Sequence, residues 1–160
     1  MNFRAGIIAS VILSAAVLAS SPLTFGAASQ SPTKMDAASL NAVLARQAKA
    51  WETHDFSGAA SDWLPDGMLT SPGGHVKVSD MQAVITDYGK HFHDLHVKVV
   101  NTFLSADGKQ AAIEWDWDVT RVRDGKRGVT HDAILVTFEG GKIKSWREYF
   151  DLGDSVDAQP

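Results

Sequence analysis

The sequence predicts an α+β domain in which helices come first and a sheet of long antiparallel strands follows. In the first half of the chain, apolar residues recur every three or four positions, which is typical of helices with one buried face. From about residue 96 onward, apolar and polar residues alternate, as they do in half-buried strands. Glycine turns separate the segments of this second pattern, and they predict a meander of strands joined by hairpins.

Length and composition limit the classes of function. The 160 residues are enough for one domain with a hydrophobic core. The net charge is −4 and no basic run occurs, which argues against nucleic acid or an acidic membrane surface as a partner. The chain has no cysteine, so thiol catalysis, disulfides and cysteine-based zinc sites are excluded.

The N-terminal segment has the pattern of a secretory signal peptide. Arg4 is its only charged residue, an apolar run covers 7–19, and small residues at 26–28 offer a cleavage site. The run is short for a bilayer span, although an uncleaved anchor is the alternative. We expect residues 1–28 to be a signal peptide and 29–37 a flexible lead-in. The mature protein is then secreted or periplasmic and has no membrane contact.

Three helices are predicted before the meander. The first ends at His54-Asp55, the second is short and ends before Pro65, and the third extends to about His91. A short strand, Met68 to Ser71, lies between the second and third helices. The apolar positions that define the three helices are Leu40, Val43, Leu44, Trp51, Phe56, Ala59, Ala60, Trp63, Met81, Val84, Ile85, Tyr88 and Phe92.

The hairpin turns predict how the long strands pair. Strands are expected at about 96–105, 110–122, 128–138 and 142–151. A two-residue turn at Asp124-Gly125 places Trp117 opposite Asp132. A three-residue loop that ends at Gly141 places Asp132 opposite Glu148. In this register the apolar and aromatic side chains share one face of the sheet, and most charged side chains share the other.

Asp132 and Glu148 are the exceptions, because this register puts both acids on the aromatic face. Burial raises the pKa of a carboxyl, and two neighbouring carboxyls favour sharing one proton. Such a pair in an apolar pocket is a candidate general acid and base. The alternative is that both acids lie at an open rim and are solvated. The residues predicted to bind the substrate are Tyr88, Asn101, Trp115, Trp117, Trp146 and Phe150.

The order of elements and the C-terminal sequence GKIKSWREYFD, at 141–151, resemble the SnoaL-like branch of the NTF2-like superfamily. The resemblance covers about residues 38–152 and leaves 153–160 as a flexible tail. It implies a cone in which a curved antiparallel sheet wraps around three N-terminal helices and encloses a pocket, and it implies a homodimer. Its members include epoxide hydrolases, ketosteroid isomerases, polyketide cyclases, dehydratases and binding domains, so the fold alone does not select an activity.

The resemblance suggests two sets of catalytic residues. Limonene-epoxide hydrolases have an acid where Glu148 stands, but tryptophans 115 and 117 replace their arginine and second aspartate. That set is incomplete, and the use of Asp132 as a second acid is our own hypothesis. Dehydratase members have an aspartate and a histidine, which Asp55 and His96 match. Asp55 is also a preferred helix cap, and the predicted register puts His96 on the polar face.

No metal or organic cofactor is predicted. His91, His93 and His96 are close in sequence, but their spacing does not converge on one ion. No glycine-rich loop leads from a strand into a helix, as a nucleotide site requires. The sequence thus predicts cofactor-independent acid–base chemistry, of hydrolase, isomerase or dehydratase type, on a small hydrophobic molecule. The alternative is a domain that binds such a molecule without catalysis or serves for dimerisation.

Overall fold

The computed structural model describes residues 34–153 and 155–156. The predicted signal peptide and the start of the lead-in lie outside these residues. Within them the chain forms two α-helices and six strands, with a 3-10 turn before β1 and another before α2. The elements are α1 (Ala37–Glu52), β1 (Trp63–Ser71), β2 (Gly74–Lys77), α2 (Met81–His91), β3 (Phe92–Leu104), β4 (Gln110–Arg121), β5 (Arg127–Glu139) and β6 (Lys142–Tyr149).

The six strands form one curved sheet in the order β2-β1-β6-β5-β4-β3. All neighbours are antiparallel except β1 and β6, which run parallel. The main core joins α1 and α2 to the aromatic face of the sheet, with Leu44, Ile85, Trp115 and Trp146 almost fully buried. This arrangement confirms the predicted α+β fold class and the curved, mainly antiparallel sheet.

The second predicted helix is a single 3-10 turn, Ala60–Asp62. The chain extends immediately after it, because Trp63 pairs with Ile143 at the start of the parallel β1–β6 contact. The turn is held by tertiary contacts, since Arg46 and Gln47 of α1 both donate hydrogen bonds to the Asp62 carboxylate. Strand pairing therefore ends the helical pattern one turn after it begins.

The β4–β5 register differs from the predicted one by two residues. Trp115, rather than Trp117, lies opposite Asp132, and Trp117 lies opposite Thr130. The reason is a longer loop, closed by a hydrogen bond from the Arg121 amide to the Lys126 carbonyl. The Arg121 guanidinium also binds Asp124 inside this loop, so Asp124-Gly125 does not form the two-residue turn that its sequence suggests.

The β5–β6 register also differs by two residues, so Glu148 lies opposite Ile134 rather than Asp132. The turn is a two-residue one in which Gly140 and Gly141 have φ of +58° and +78°, and a bulge follows it. A shift of two residues keeps every side chain on its face. Asp132 and Glu148 are therefore diagonal neighbours on the same face, a placement in which long side chains still reach each other.

The prediction for Asn101 is wrong. The β3–β4 hairpin pairs Val97 with Trp117 and Val99 with Trp115, but a bulge follows Val99 and brings Asn101 opposite Glu114. One extra residue reverses the faces beyond it. Asn101 consequently lies exposed on the outer face, where its side-chain amide donates a 2.6 Å hydrogen bond to Glu114.

Candidate functional site

A cavity of about 310 Å³ opens between the two helices and the aromatic face of the sheet. Most of its wall is aromatic or aliphatic, as in typical small-molecule sites, and a few polar groups interrupt it. The lining residues are Trp51, Ser71, Gly73, Tyr88, Phe92, Trp117, Val119, Thr130, Asp132, Glu148, Phe150, Leu152, Ser155 and Val156. Both acids that the sequence singles out thus line one cavity.

Asp132 is held at the cavity wall by a single hydrogen bond. Its Oδ2 accepts from the indole Nε1 of Trp115 at 2.8 Å, whereas its Oδ1 has no hydrogen-bond partner among the described residues. The residue is only 7% exposed. Burial raises the pKa of Asp132 to about 6, and the hydrogen bond from Trp115 opposes part of that rise.

Glu148 is held in the same way by a second indole. Its Oε1 accepts from the Nε1 of Trp146 at 2.8 Å. Burial raises the pKa of Glu148 to about 7, the Trp146 hydrogen bond lowers it, and the nearby charge of Asp132 raises it further. Each acid therefore has one tryptophan donor that orients it and a pKa close to neutral.

Two such carboxyls can exchange protons with a bound molecule near pH 7. A general acid or base works best when its pKa is close to the operating pH, because both protonation states are then available. Because the two groups interact, their titration belongs to the pair rather than to either residue alone.

Aromatic contacts make another part of the cavity wall rigid. The Trp117 indole Nε1 donates a 2.7 Å hydrogen bond to the Tyr88 hydroxyl oxygen. Trp51 of α1 packs edge-on against both rings, with centroids 5.2 Å from Trp117 and 5.6 Å from Tyr88. The Tyr88 ring stacks on Phe92 at 4.5 Å. A helix, a second helix and the sheet thus each contribute an aromatic ring to this wall.

The part of the chain that forms most of this cavity matches a known family of domains. The SnoaL-like domain family matches residues 44–146. The chain belongs to that family. The match contains Asp132 and four aromatic lining residues, Trp51, Tyr88, Phe92 and Trp117. It ends two residues before Glu148. The predicted membership of the SnoaL-like and NTF2-like superfamily is confirmed.

Solved structures show the same fold for this SnoaL-like domain at low sequence identity. A hypothetical protein of Catenulispora acidiphila with a ketosteroid isomerase-like fold, in complex with trimethylamine, is 15% identical with a TM-score of 0.65, over 72% of this chain and 90% of its own. A candidate polyketide cyclase of Pseudomonas putida is 17% identical with a TM-score of 0.63, over 74% and 96%.

A candidate isomerase of Bacillus subtilis is 16% identical with a TM-score of 0.64, over 76% of this chain and 95% of its own. Identities this low establish the fold and not the activity. Among curated proteins, none has a sequence that matches this chain.

The six residues predicted to bind the substrate occupy three kinds of position in the SnoaL-like domain. Tyr88, Trp117 and Phe150 line the cavity. Trp115 and Trp146 are buried behind it and orient the two acids. Asn101 lies on the outer face, as described above. Trp115, Trp117, Trp146 and Phe150 lie on the aromatic face of the sheet and Tyr88 lies on α2, but the sequence does not distinguish a wall residue from one that holds a carboxylate.

The alternative catalytic pair, Asp55 and His96, is not brought together at the cavity. Asp55 accepts a hydrogen bond from the Ser57 amide, which lowers its pKa, and it caps the turn after α1. His96 is 82% exposed, with its Nδ1 3.5 Å from the Glu52 carboxylate. Neither residue lines the cavity. Their positions favour the structural interpretation of Asp55 and leave Asp132 and Glu148 as the candidate acids.

The C-terminal segment contributes a wall that the sequence does not predict. Val156 lies within the predicted flexible tail, yet it is 2% exposed and packs with Phe92, Leu95 and Val119. The buried guanidinium of Arg121 donates a hydrogen bond to its carbonyl oxygen. Arg121, at the end of β4, is a weak sequence signal of a buried hydrogen bond. The sequence does not show that the acceptor is the carbonyl oxygen of Val156.

Within residues 34–153 and 155–156, no three His, Asp or Glu side chains are grouped so that they could hold a metal ion. In the same part of the chain, no helix has the length and apolar character needed to cross a membrane.

Proposed function

We propose that this SnoaL-like domain binds a small, largely apolar molecule in the cavity and carries out acid–base chemistry on it with Asp132 and Glu148. The observation that supports the proposal is that both acids line one aromatic cavity and that burial raises the pKa of each toward neutrality. Perturbed carboxyls in a cleft are a physical sign of a functional site. No cofactor is part of this proposal.

The two environments suggest a division of roles. Asp132, with a pKa of about 6, is mostly ionised at pH 7 and suits a general base. Glu148, with a pKa of about 7, keeps its proton in about half of the molecules and suits a general acid. Hydrolase, isomerase and dehydratase reactions can all use such a pair. The two tryptophans at 115 and 117 leave the epoxide hydrolase set incomplete.

A binding protein without catalysis is the second candidate, because most of the cavity wall is apolar and rigid. The presence of Asp132 and Glu148 in the cavity distinguishes the catalytic function from the binding function. A pocket for a neutral apolar ligand gains nothing from two buried carboxyls, since burying a charge costs free energy unless it is paired. The trimethylamine in the related Catenulispora acidiphila structure supports a small organic ligand for a domain of this fold.

Direct titration of the carboxyls tests the proposal. We expect carbon-13 NMR of the side-chain carboxyls to give one apparent pKa near 6 and one near 7 that belong to the pair of Asp132 and Glu148. Glu114→Gln, on the outer face, should leave both transitions unchanged, whereas Glu148→Gln should remove one and lower the other, since the neighbouring charge is gone. Two transitions near 4, the ordinary value of a carboxyl, would refute the acid–base proposal.

We also propose that the protein is exported and that its N-terminal segment is cleaved. The apolar run followed by small residues supports this. Protein expressed in a bacterial host with its full N-terminus should be found in the periplasm or medium with a mass that lacks about the first 28 residues. Placing two lysines within the apolar run should keep the chain uncleaved. A recovered mass that includes Met1 to Ala19 would contradict the proposal.

A further inference from the structure

The cavity has negative charge in its wall but no positive charge to balance it. Asp132 and Glu148 both line it, and none of the described lining residues is a lysine, arginine or histidine. The charged groups that act on Asp132 are His131 and Asp116, and the group that acts on Glu148 is Asp132. His131 is engaged by Asp116 at 2.8 Å and is exposed. The buried guanidinium of Arg121, at the end of β4, is held by Asp124 and the Val156 carbonyl.

One buried acceptor atom in this wall has no donor. Asp132 is 7% exposed, and its Oδ1 has no hydrogen-bond partner among the described residues, whereas its Oδ2 has the Trp115 indole. A buried acceptor without a partner costs roughly 1–3 kcal/mol, and native structures contain few of them. An opposite charge beside this carboxyl offsets part of that cost.

The rest of the wall favours a cation that carries apolar groups. The electron-rich faces of tryptophan and tyrosine attract organic ammonium groups, and tryptophan is the best of these rings. Trp51, Trp117 and Tyr88 meet edge-on within 6 Å of one another, and Phe92 and Phe150 extend the aromatic surface. Aromatic rings and carboxylates that line one cavity are the chemistry of a site for alkylated amines.

We propose that the ligand of this cavity is a small organic cation, a protonated tertiary amine whose alkyl groups pack on Trp51 and Trp117 and whose ammonium group lies beside the carboxyls of Asp132 and Glu148. The inference rests on the proposed function, because it assigns a substrate class to the same site. A cationic ligand also explains why two acids line an otherwise apolar cavity. A neutral ligand expels water and makes ionisation of both acids harder, whereas an ammonium group stabilises the carboxylate that it faces.

The test uses two probes that differ in charge and hardly in shape. Dimethylaminoethanol is protonated at neutral pH, and isoamyl alcohol has a carbon in place of its nitrogen. We expect the mature protein to bind the amine at least roughly tenfold more tightly than the alcohol at pH 8, as the energy of a desolvated cation on aromatic rings implies. Amine affinity should rise between pH 5 and pH 8 as the acids ionise, and alcohol affinity should stay constant or fall.

Two variants test whether the preference for the amine depends on Asp132. Asp132→Asn keeps an acceptor for the Trp115 indole but removes the charge, so amine affinity should fall about tenfold while alcohol affinity changes little. Glu114→Gln, on the outer face, should change neither. Equal affinity for the two probes, or binding of neither, would overturn the inference. If equal affinity were found while both acids titrate near neutral, the acid–base proposal would survive. An amine preference with ordinary carboxyl pKa values would refute the acid–base proposal alone.

Discussion

Replacing Glu148 with glutamine is expected to lower the turnover of the proposed reaction by roughly 10²–10⁴-fold, which is the usual contribution of a general acid or base. Glutamine has the same shape, and its Oε1 can still accept the hydrogen bond from the Trp146 indole. The pocket should therefore keep its form and lose only the exchangeable proton. Turnover of a substrate found by screening amine-bearing and neutral small molecules gives the measurement.

Two further variants make this experiment specific. Asp132→Asn should produce a loss of similar size, and the double variant should lose little more than either single one, because groups that act together are not additive. Glu114→Gln removes a carboxylate from the outer face and should keep full turnover. A Glu148→Gln protein whose turnover stays within a few-fold of the wild type, with an unchanged far-UV circular dichroism spectrum, would exclude Glu148 as the general acid. That result would favour the binding function.

The two register shifts explain why the sequence predicts the acid pair and not its geometry. Side chains alternate along a strand, so an error of two residues in a hairpin leaves each one on the same face. The sequence predicts Asp132 and Glu148 as direct cross-strand partners, whereas they are diagonal neighbours in the structure. The loop lengths depend on contacts such as Arg121 with Asp124, which bend the chain between strands and have no local pattern.

The bulge after Val99 has the opposite effect. One inserted residue reverses the alternation, so Asn101 lies outside the pocket although its position in the predicted pattern puts it inside. Nothing in the sequence Val-Lys-Val-Val at 97–100 marks where the extra residue will be placed.

The roles of the tryptophans also depend on three-dimensional packing. Trp115, Trp117 and Trp146 all lie on the aromatic face, as the alternation predicts. Their indole nitrogens point to different partners, namely Asp132, Tyr88 and Glu148. This choice is set by side-chain rotation inside the core, where a buried N–H must find an acceptor. Composition can predict an aromatic pocket, but it cannot predict which indole orients which acid.

The acid pair should also make the folded protein lose stability as the pH rises from about 5 to about 8. In the folded state the pKa of Asp132 is about 6 and that of Glu148 about 7, whereas an unfolded carboxyl titrates near 4. Between these values the folded chain binds more protons than the unfolded chain, so the free energy of unfolding decreases as pH increases. The contribution of the pair is complete below about pH 4 and is lost above pH 7.

Carboxyls whose pKa is lowered in the folded protein do not affect the stability between pH 5 and pH 8. Asp124, whose pKa the hydrogen bond from Arg121 lowers to about 2, adds stability that is lost only as the pH falls toward that value. A carboxyl whose pKa is one unit higher in the folded than in the unfolded protein changes the free energy of unfolding by about 1.4 kcal/mol, and partial solvent access to Glu148 reduces the total. We therefore expect the pair to lower the free energy of unfolding by roughly 2–4 kcal/mol between pH 5 and pH 8.

Urea unfolding of the wild type and the Asp132→Asn/Glu148→Gln double variant at several pH values measures this contribution. The double variant cannot ionise at these positions, so its stability should be nearly flat over the window and should exceed that of the wild type at pH 8. Glu114→Gln should follow the wild-type curve. A wild-type curve that rises with pH over the same window would mean that both carboxyls are stabilised in their charged form by partners within the protein, and the cavity would then have no need of a cationic ligand.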